Sequence, residues 1–74
     1  MRGEIIRKVN MILRSQMVLH GITIKELAAE MGIHRRVFSN KLGRRTVNGY
    51  VTHFTDSQKE WLAAKFGIKT TDIE

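Results

Sequence analysis

The sequence predicts a small all-α domain of four to five helices. Three features predict it: apolar residues recur at helical spacing, capping boxes open several of these segments, and glycines close them. With 74 residues the chain has room for a single domain, 1–74, with a thin hydrophobic core. The predicted helices cover residues 4–20, 24–31, 34–42 and 56–66 and a short segment 71–74, and a short β-hairpin is predicted around 46–52.

The first predicted helix has the widest apolar surface. Its apolar residues recur at spacings of three and four, and further apolar neighbours widen the stripe, so we expect this helix to be well buried and to end at Gly21. The stripe consists of Ile6, Val9, Leu13 and Met17, and the residues that widen it are Ile5, Ile12 and Val18 or Leu19.

Capping boxes mark the second and fourth helices. Thr23 stands three residues before Glu26, and Thr55 stands three residues before Gln58, so each threonine can accept from a first-turn N–H while the longer side chain reaches back. A further box, Thr71 to Glu74, predicts the start of a last short helix. The expected core residues are Ile24, Leu27, Ala28 and Met31 on the second helix, Phe38 and Leu42 on the third, and Leu62, Ala63 and Phe66 on the fourth.

The segment between the third and fourth helices is β-like. Asn48-Gly49 lies between the β-formers Val47 and Tyr50, which is a strong signal for a hairpin whose two turn residues take positive φ. The arms are short, so a hairpin here must lean on the helices, and an irregular loop is the alternative.

The charge is concentrated in one part of the chain. Thirteen Lys and Arg residues against seven Asp and Glu residues give a formal net charge of +6. No acidic residue lies between Glu30 and Asp56, a pattern typical of a polyanion-binding surface. The basic residues of this window are Arg35, Arg36, Lys41, Arg44 and Arg45.

The second and third helices have the pattern of a helix-turn-helix. Ala28 is small where the two helices should cross, and Gly32 permits the turn between them. Residues 23–42, TIKELAAEMGIHRRVFSNKL, resemble the helix-turn-helix of phage lambda-type repressors and Cro proteins, and Leu62–Ile68 is similar to the end of that family's fourth helix. The resemblance implies a lambda repressor-like DNA-binding domain.

The resemblance also implies roles for individual residues. It assigns base contacts to Arg35, Arg36 and Asn40, with His34 and Ser39 flanking them; Arg suits guanine and Asn suits adenine in the major groove. Arg35 and Arg36 are about 100° apart on the helix, so one of the two can bind a phosphate instead of a base. Phosphate contacts are expected from Lys41, Arg44 and Arg45 beyond the helix and from Thr23 and Lys25 at the second helix. Two positions depart from the family. Ile24 replaces a common glutamine, so the second helix can lack one phosphate contact. His34 replaces the usual Ser or Thr cap, which predicts a weakened start of the third helix unless DNA supplies a partner. The stretch from Arg44 to Phe54 is also longer than the usual connection, and a hairpin there would act as a wing that touches the minor groove or backbone beside the third helix.

The expected function is sequence-specific binding of double-stranded DNA by a phage or prophage transcriptional regulator, either a repressor or a Cro-like protein. The alternative is a protein-interaction module, such as an antirepressor, that binds another regulator through the same fold. A homodimer is expected, with Trp61 either at the edge of the core or in a partner contact.

No enzyme, cofactor, metal, membrane or small-molecule substrate is expected. His20, His34 and His53 lack metal-ligand spacing, and no nucleophile–base constellation stands out. The chain has no cysteine and no apolar run of membrane-spanning length, and it does not open with a signal peptide. A cytoplasmic location in a bacterial host cell, in association with the nucleoid, is therefore expected.

Overall fold

The order of elements is three helices, a hairpin and a fourth helix. The computed structural model describes residues 9–74. Within them lie the helices α1 (Met11–Leu19), α2 (Ile24–Met31), α3 (Arg35–Leu42) and α4 (Asp56–Phe66), the strands β1 (Thr46–Val47) and β2 (Tyr50–Val51), and a 3₁₀ turn at Thr70–Asp72. The mostly helical architecture with one hairpin confirms the prediction at this level.

The core draws side chains from all four helices. Phe38 of α3 meets Phe54 edge to face, with the ring centroids 5.3 Å apart, and both rings are fully enclosed. Phe54 follows the hairpin, and the periodicity of the helices did not predict it as a core residue. The other buried core residues are Leu13, Met17, Leu27, Ala28, Leu42, Leu62, Ala63, Phe66 and Ile73.

The predicted helix ends of α2 and α4 are confirmed. Thr23 and Glu26 form a complete capping box at the start of α2, and Thr55 and Gln58 form one at the start of α4. Both helices end at a glycine in the left-handed conformation. These signals are local in sequence, which is why the sequence predicts the bounds of both helices.

The start of α1 differs from the prediction. A continuous helix from residue 4 is wrong at Asn10, which has a left-handed φ of 57° and immediately precedes the first helical residue. The Asn10 amide is buried, where it donates to the Leu42 carbonyl oxygen at 2.9 Å and accepts from the Glu74 backbone N–H at 2.6 Å. These tertiary hydrogen bonds override the helical periodicity. Residues 4–8 of the predicted helix, with Ile5 and Ile6, lie outside the described residues.

The burial predicted for α1 is also wrong on one side of the helix. Leu13 and Met17 are buried as expected, but Ile12 is 45% exposed, Val18 81% and Leu19 76%. The buried pair covers only a narrow stripe of the helix, so the residues that widen the apolar pattern face outward instead.

The hairpin is confirmed in position and turn type. β1 and β2 pair antiparallel, with Val47 opposite Tyr50, and both turn residues have positive φ: 53° at Asn48 and 83° at Gly49. The strand side chains are exposed. Thr52 bonds the base of the hairpin to the end of α3, which gives the short arms the support that they need.

The last predicted helix is replaced by the 3₁₀ turn. The turn begins one residue earlier than predicted, because the Asp72 carboxylate accepts from the Lys69 backbone N–H at 3.1 Å. Ile73 then enters the core with 3% exposure. Within residues 9–74 no helix is long and apolar enough to cross a membrane.

Candidate nucleic-acid interface

An open groove of about 770 Å³ runs between the start of α2 and the exposed face of α3. None of its lining residues is acidic, and four of them are cationic: Lys25, Arg35, Arg36 and Arg45. The uncharged lining residues are Thr23, Ile24, His34, Ser39 and Asn40. The groove therefore brings together all five base-reading candidates and three of the phosphate-binding candidates, Thr23, Lys25 and Arg45.

The burial of one face of α3 determines which of its side chains face the groove. Phe38 and Leu42 are buried in the core, so the opposite side of α3 faces away from the core. Arg35 and Arg36 are exposed, and Ser39 and Asn40 are half-buried. The side chains at the start of α3 are thus accessible over its first turn and a half, the region that reaches base edges in a major groove.

The start of α3 is capped by His34, contrary to the weakened helix start that the sequence predicted. The His34 Nδ1 accepts a hydrogen bond from the backbone N–H of Arg36 at 3.0 Å. An imidazole nitrogen without a proton is an acceptor, as a serine hydroxyl oxygen is, so histidine can satisfy one of the free N–H groups of the first turn.

The end of α3 is joined to the hairpin by backbone bonds. Arg44 adopts the left-handed conformation at φ 50°, and the Arg45 N–H then donates to the Asn40 carbonyl oxygen at 2.9 Å. The Thr52 hydroxyl lies 2.8 Å from the same Asn40 oxygen and 2.7 Å from the Arg45 oxygen. These bonds place the Arg45 side chain on the groove beside α3.

Lys41 has a partner inside the domain. Its Nζ donates to the Gln58 Oε1 at 2.9 Å, and the same oxygen accepts from the Thr55 backbone N–H. The bond connects the end of α3 with the capping box of α4. Lys41 does not line the groove, so a phosphate contact by this residue would lie outside it.

Arg44 also lies away from the groove. Its Nη1 is 3.4 Å from the Glu74 Oε1, and its side chain is 36% exposed. Glu74 is in turn bonded to Asn10, so the Arg44 guanidinium belongs to a cluster that ties the end of α3 to the start of α1. A phosphate contact by Arg44 would compete with this ion pair.

The two candidates from the start of α2 differ in availability. The Thr23 hydroxyl donates to the Glu26 carboxylate at 3.0 Å and accepts from the Glu26 N–H, so the capping box already uses its proton. Hydrogen bonds from the Thr23 backbone and side chain lower the pKa of Glu26 below its ordinary value. Lys25 is exposed and points its charge to the groove.

Trp61 lies on the surface of α4, as its place at the edge of the apolar face predicts. It is 38% exposed, and the Lys65 Nζ is 5.5 Å from its ring centroid. The same ammonium pairs with the Glu30 carboxylate at 2.7 Å, which connects α4 to α2. Trp61 therefore takes part in a contact within the domain and keeps an exposed edge.

Sequence patterns missed the residues that support the groove from behind. These residues are Asn10, Thr52 and Gln58, which bond to Leu42, Asn40 and Lys41 in the second half of α3. None of them carries a local signal for this role, because each partner is far away in sequence. Within residues 9–74 no group of three or more His, Cys, Asp or Glu residues is arranged to hold a metal ion.

Comparison of the chain with protein-family models, with curated proteins and with solved structures finds no match in any of the three.

Proposed function

We propose that this protein is a sequence-specific double-stranded DNA-binding regulator, of the phage or prophage repressor or Cro-like kind, that inserts α3 into the major groove. The observation that carries the proposal is the groove: four cationic side chains and no carboxylate border the exposed first turns of α3. An α-helix is about 10–12 Å across with its side chains, which matches the width of about 12 Å of the major groove of B-DNA.

The groove residues divide into two roles. Arg35 and Asn40 carry the donor patterns that suit guanine and adenine and lie on the accessible part of α3, so they contact bases. Lys25 of α2 and Arg45, which follows α3, contact phosphates, which fixes the position of the protein without selecting sequence. Arg36 and Ser39 complete the α3 surface, and the hairpin beyond Arg45 contacts the backbone or minor groove next to it.

The proposal is tested by selecting bound sequences from random duplexes and then comparing variants on the selected duplex and on a random duplex. Replacing Arg35 or Asn40 by Ala should cost about 1–3 kcal/mol on the selected duplex and little on the random one. Arg45→Ala should weaken binding to both duplexes to a similar degree, because a phosphate contact is blind to sequence.

Lys69→Ala is the matched control for Arg45→Ala, because it removes an exposed cation that lies outside the groove, and it should leave binding to both duplexes nearly unchanged. Equal losses on both duplexes for Arg35→Ala and Arg45→Ala would contradict the division of roles. Failure of the protein to bind any duplex would contradict DNA binding itself and favour the interaction module that binds another regulator.

The regulator is further proposed to act as a homodimer on two half-sites about 34 Å apart along the DNA axis, one helical turn. The exposed edge of Trp61 is the proposed contact. Trp61→Ala should then lower the dimer fraction in sedimentation at matched protein concentration, with an unchanged fraction contradicting the Trp61 contact.

A further inference from the structure

Among residues 9–74, one of the two ring nitrogens of His34 has a hydrogen-bond partner and the other has none. Its Nδ1 accepts from the Arg36 backbone N–H at 3.0 Å, so this nitrogen carries no proton. In a neutral imidazole the other nitrogen then carries the hydrogen, and Nε2 is a donor. The cap therefore fixes the tautomer of His34 as well as the orientation of its ring.

The Nε2–H group belongs to an exposed side chain that lines the groove. His34 is exposed and lines the groove together with Arg35 and Arg36. Within residues 9–74 no group accepts a hydrogen bond from this nitrogen, as the bond to Arg36 is the sole one formed by the ring. His34 thus offers one donor, at a fixed position, and no acceptor.

We infer that His34 serves both as the cap of α3 and as a hydrogen-bond donor to a DNA phosphate oxygen, instead of contacting a base. The inference rests on the proposed DNA binding. A single N–H group without an acceptor matches one phosphate oxygen, whereas discrimination of a base pair rests on paired donors and acceptors such as those of Arg and Asn. Those side chains are supplied by Arg35, Arg36 and Asn40, which follow His34 along the same groove.

The two roles of His34 are separated by a pair of variants. Serine is as good a cap as any residue, but its side chain ends far short of the imidazole Nε2, so His34→Ser keeps the cap and loses the donor. His34→Ala loses both. His34→Ser should therefore unfold at nearly the temperature of the native chain, and His34→Ala at a lower one, in thermal denaturation followed by circular dichroism.

Binding is then measured for each variant on a selected duplex and on a random duplex of equal length, at several salt concentrations and one pH. His34→Ser should bind both duplexes about 10-fold more weakly, the loss expected for a hydrogen bond to a charged group. The slope of log K against log salt should stay as in the native chain, because a neutral imidazole displaces no counterion. Arg45→Ala, in contrast, should lower that slope.

Three outcomes overturn the inference or its basis. Unchanged affinity of His34→Ser for both duplexes would show that the imidazole only caps the helix. A loss confined to the selected duplex would show that His34 contacts a base. If the native chain binds no duplex, the proposed function fails, and this result is distinct because it appears before any variant is made.

Discussion

Asn10 is the residue whose role depends most on the folded chain. Its buried amide bonds to the end of α3 and to the backbone of Glu74, and its left-handed φ sets where α1 begins. Along the sequence it stands one residue after Val9 in an apolar repeat that favours a continuous helix. Both of its partners are more than thirty residues away, at 32 and 64 positions, so no local pattern could indicate these bonds.

Replacement of Asn10 should destabilise the domain through two separable effects. Asn10→Ala removes both side-chain hydrogen bonds and places alanine, which tolerates the left-handed region less well than asparagine, at this position, so we expect a loss of about 2–4 kcal/mol in the free energy of unfolding. Asn10→Gly loses the same bonds, but glycine tolerates the left-handed φ at this position. This variant should therefore be about 1 kcal/mol more stable than the alanine variant. Denaturant unfolding measures both, and an alanine variant within about 0.5 kcal/mol of the native chain would contradict this role.

In the candidate interface, the position of a residue was predictable where it depends on nearby residues in the sequence. The exposed face of α3 follows from the burial of Phe38 and Leu42, so Arg35, Arg36 and Asn40 could be placed on the groove from the sequence. Lys41 and Arg44 could not be placed, because their partners Gln58 and Glu74 come from later in the chain.

Among the elements, α2 and its capping box are the best determined. The box is encoded within four consecutive residues, 23–26, and the structure forms each of its bonds. For α1 the pattern was ambiguous: its apolar residues lie on more than one face, and only packing decides that Leu13 and Met17 enter the core while Val18 faces outward.

The capping box of α2 should make stability depend on acid pH. The pKa of Glu26 is lowered in the folded chain, so its contribution is complete at higher pH and is lost as the pH falls below about 4.5 through the lowered pKa. Glu26→Gln is the matched control, since glutamine can make the same bond to the Thr23 N–H but does not titrate. The melting temperature of the native chain relative to Glu26→Gln should be constant near neutral pH and decrease in acid. A difference that stays constant down to about pH 2 would contradict a lowered pKa for Glu26.

In the molecule as a whole, the helices and the hairpin are predictable from the sequence, whereas the hydrogen bonds between distant parts of the chain are less so. Helix ends, the hairpin turn and the order of elements follow from local chemistry at residues such as Thr23, Thr55 and Gly49. The ties that close the domain run between distant parts of the chain: Asn10 to Leu42, Lys41 to Gln58 and Lys65 to Glu30. The first two hold α3 from behind, and the third connects α4 to α2.

The central claim is that this groove binds the phosphate backbone and bases of duplex DNA, and a salt titration of DNA binding tests it most directly. Each phosphate neutralised by the protein lowers log K by about 0.9 per unit of log salt concentration. With Lys25, Arg35, Arg36 and Arg45 on the groove, we expect a slope of about −2 to −4 for each protomer. A slope near zero, or no binding to any duplex at low salt, would contradict the claim.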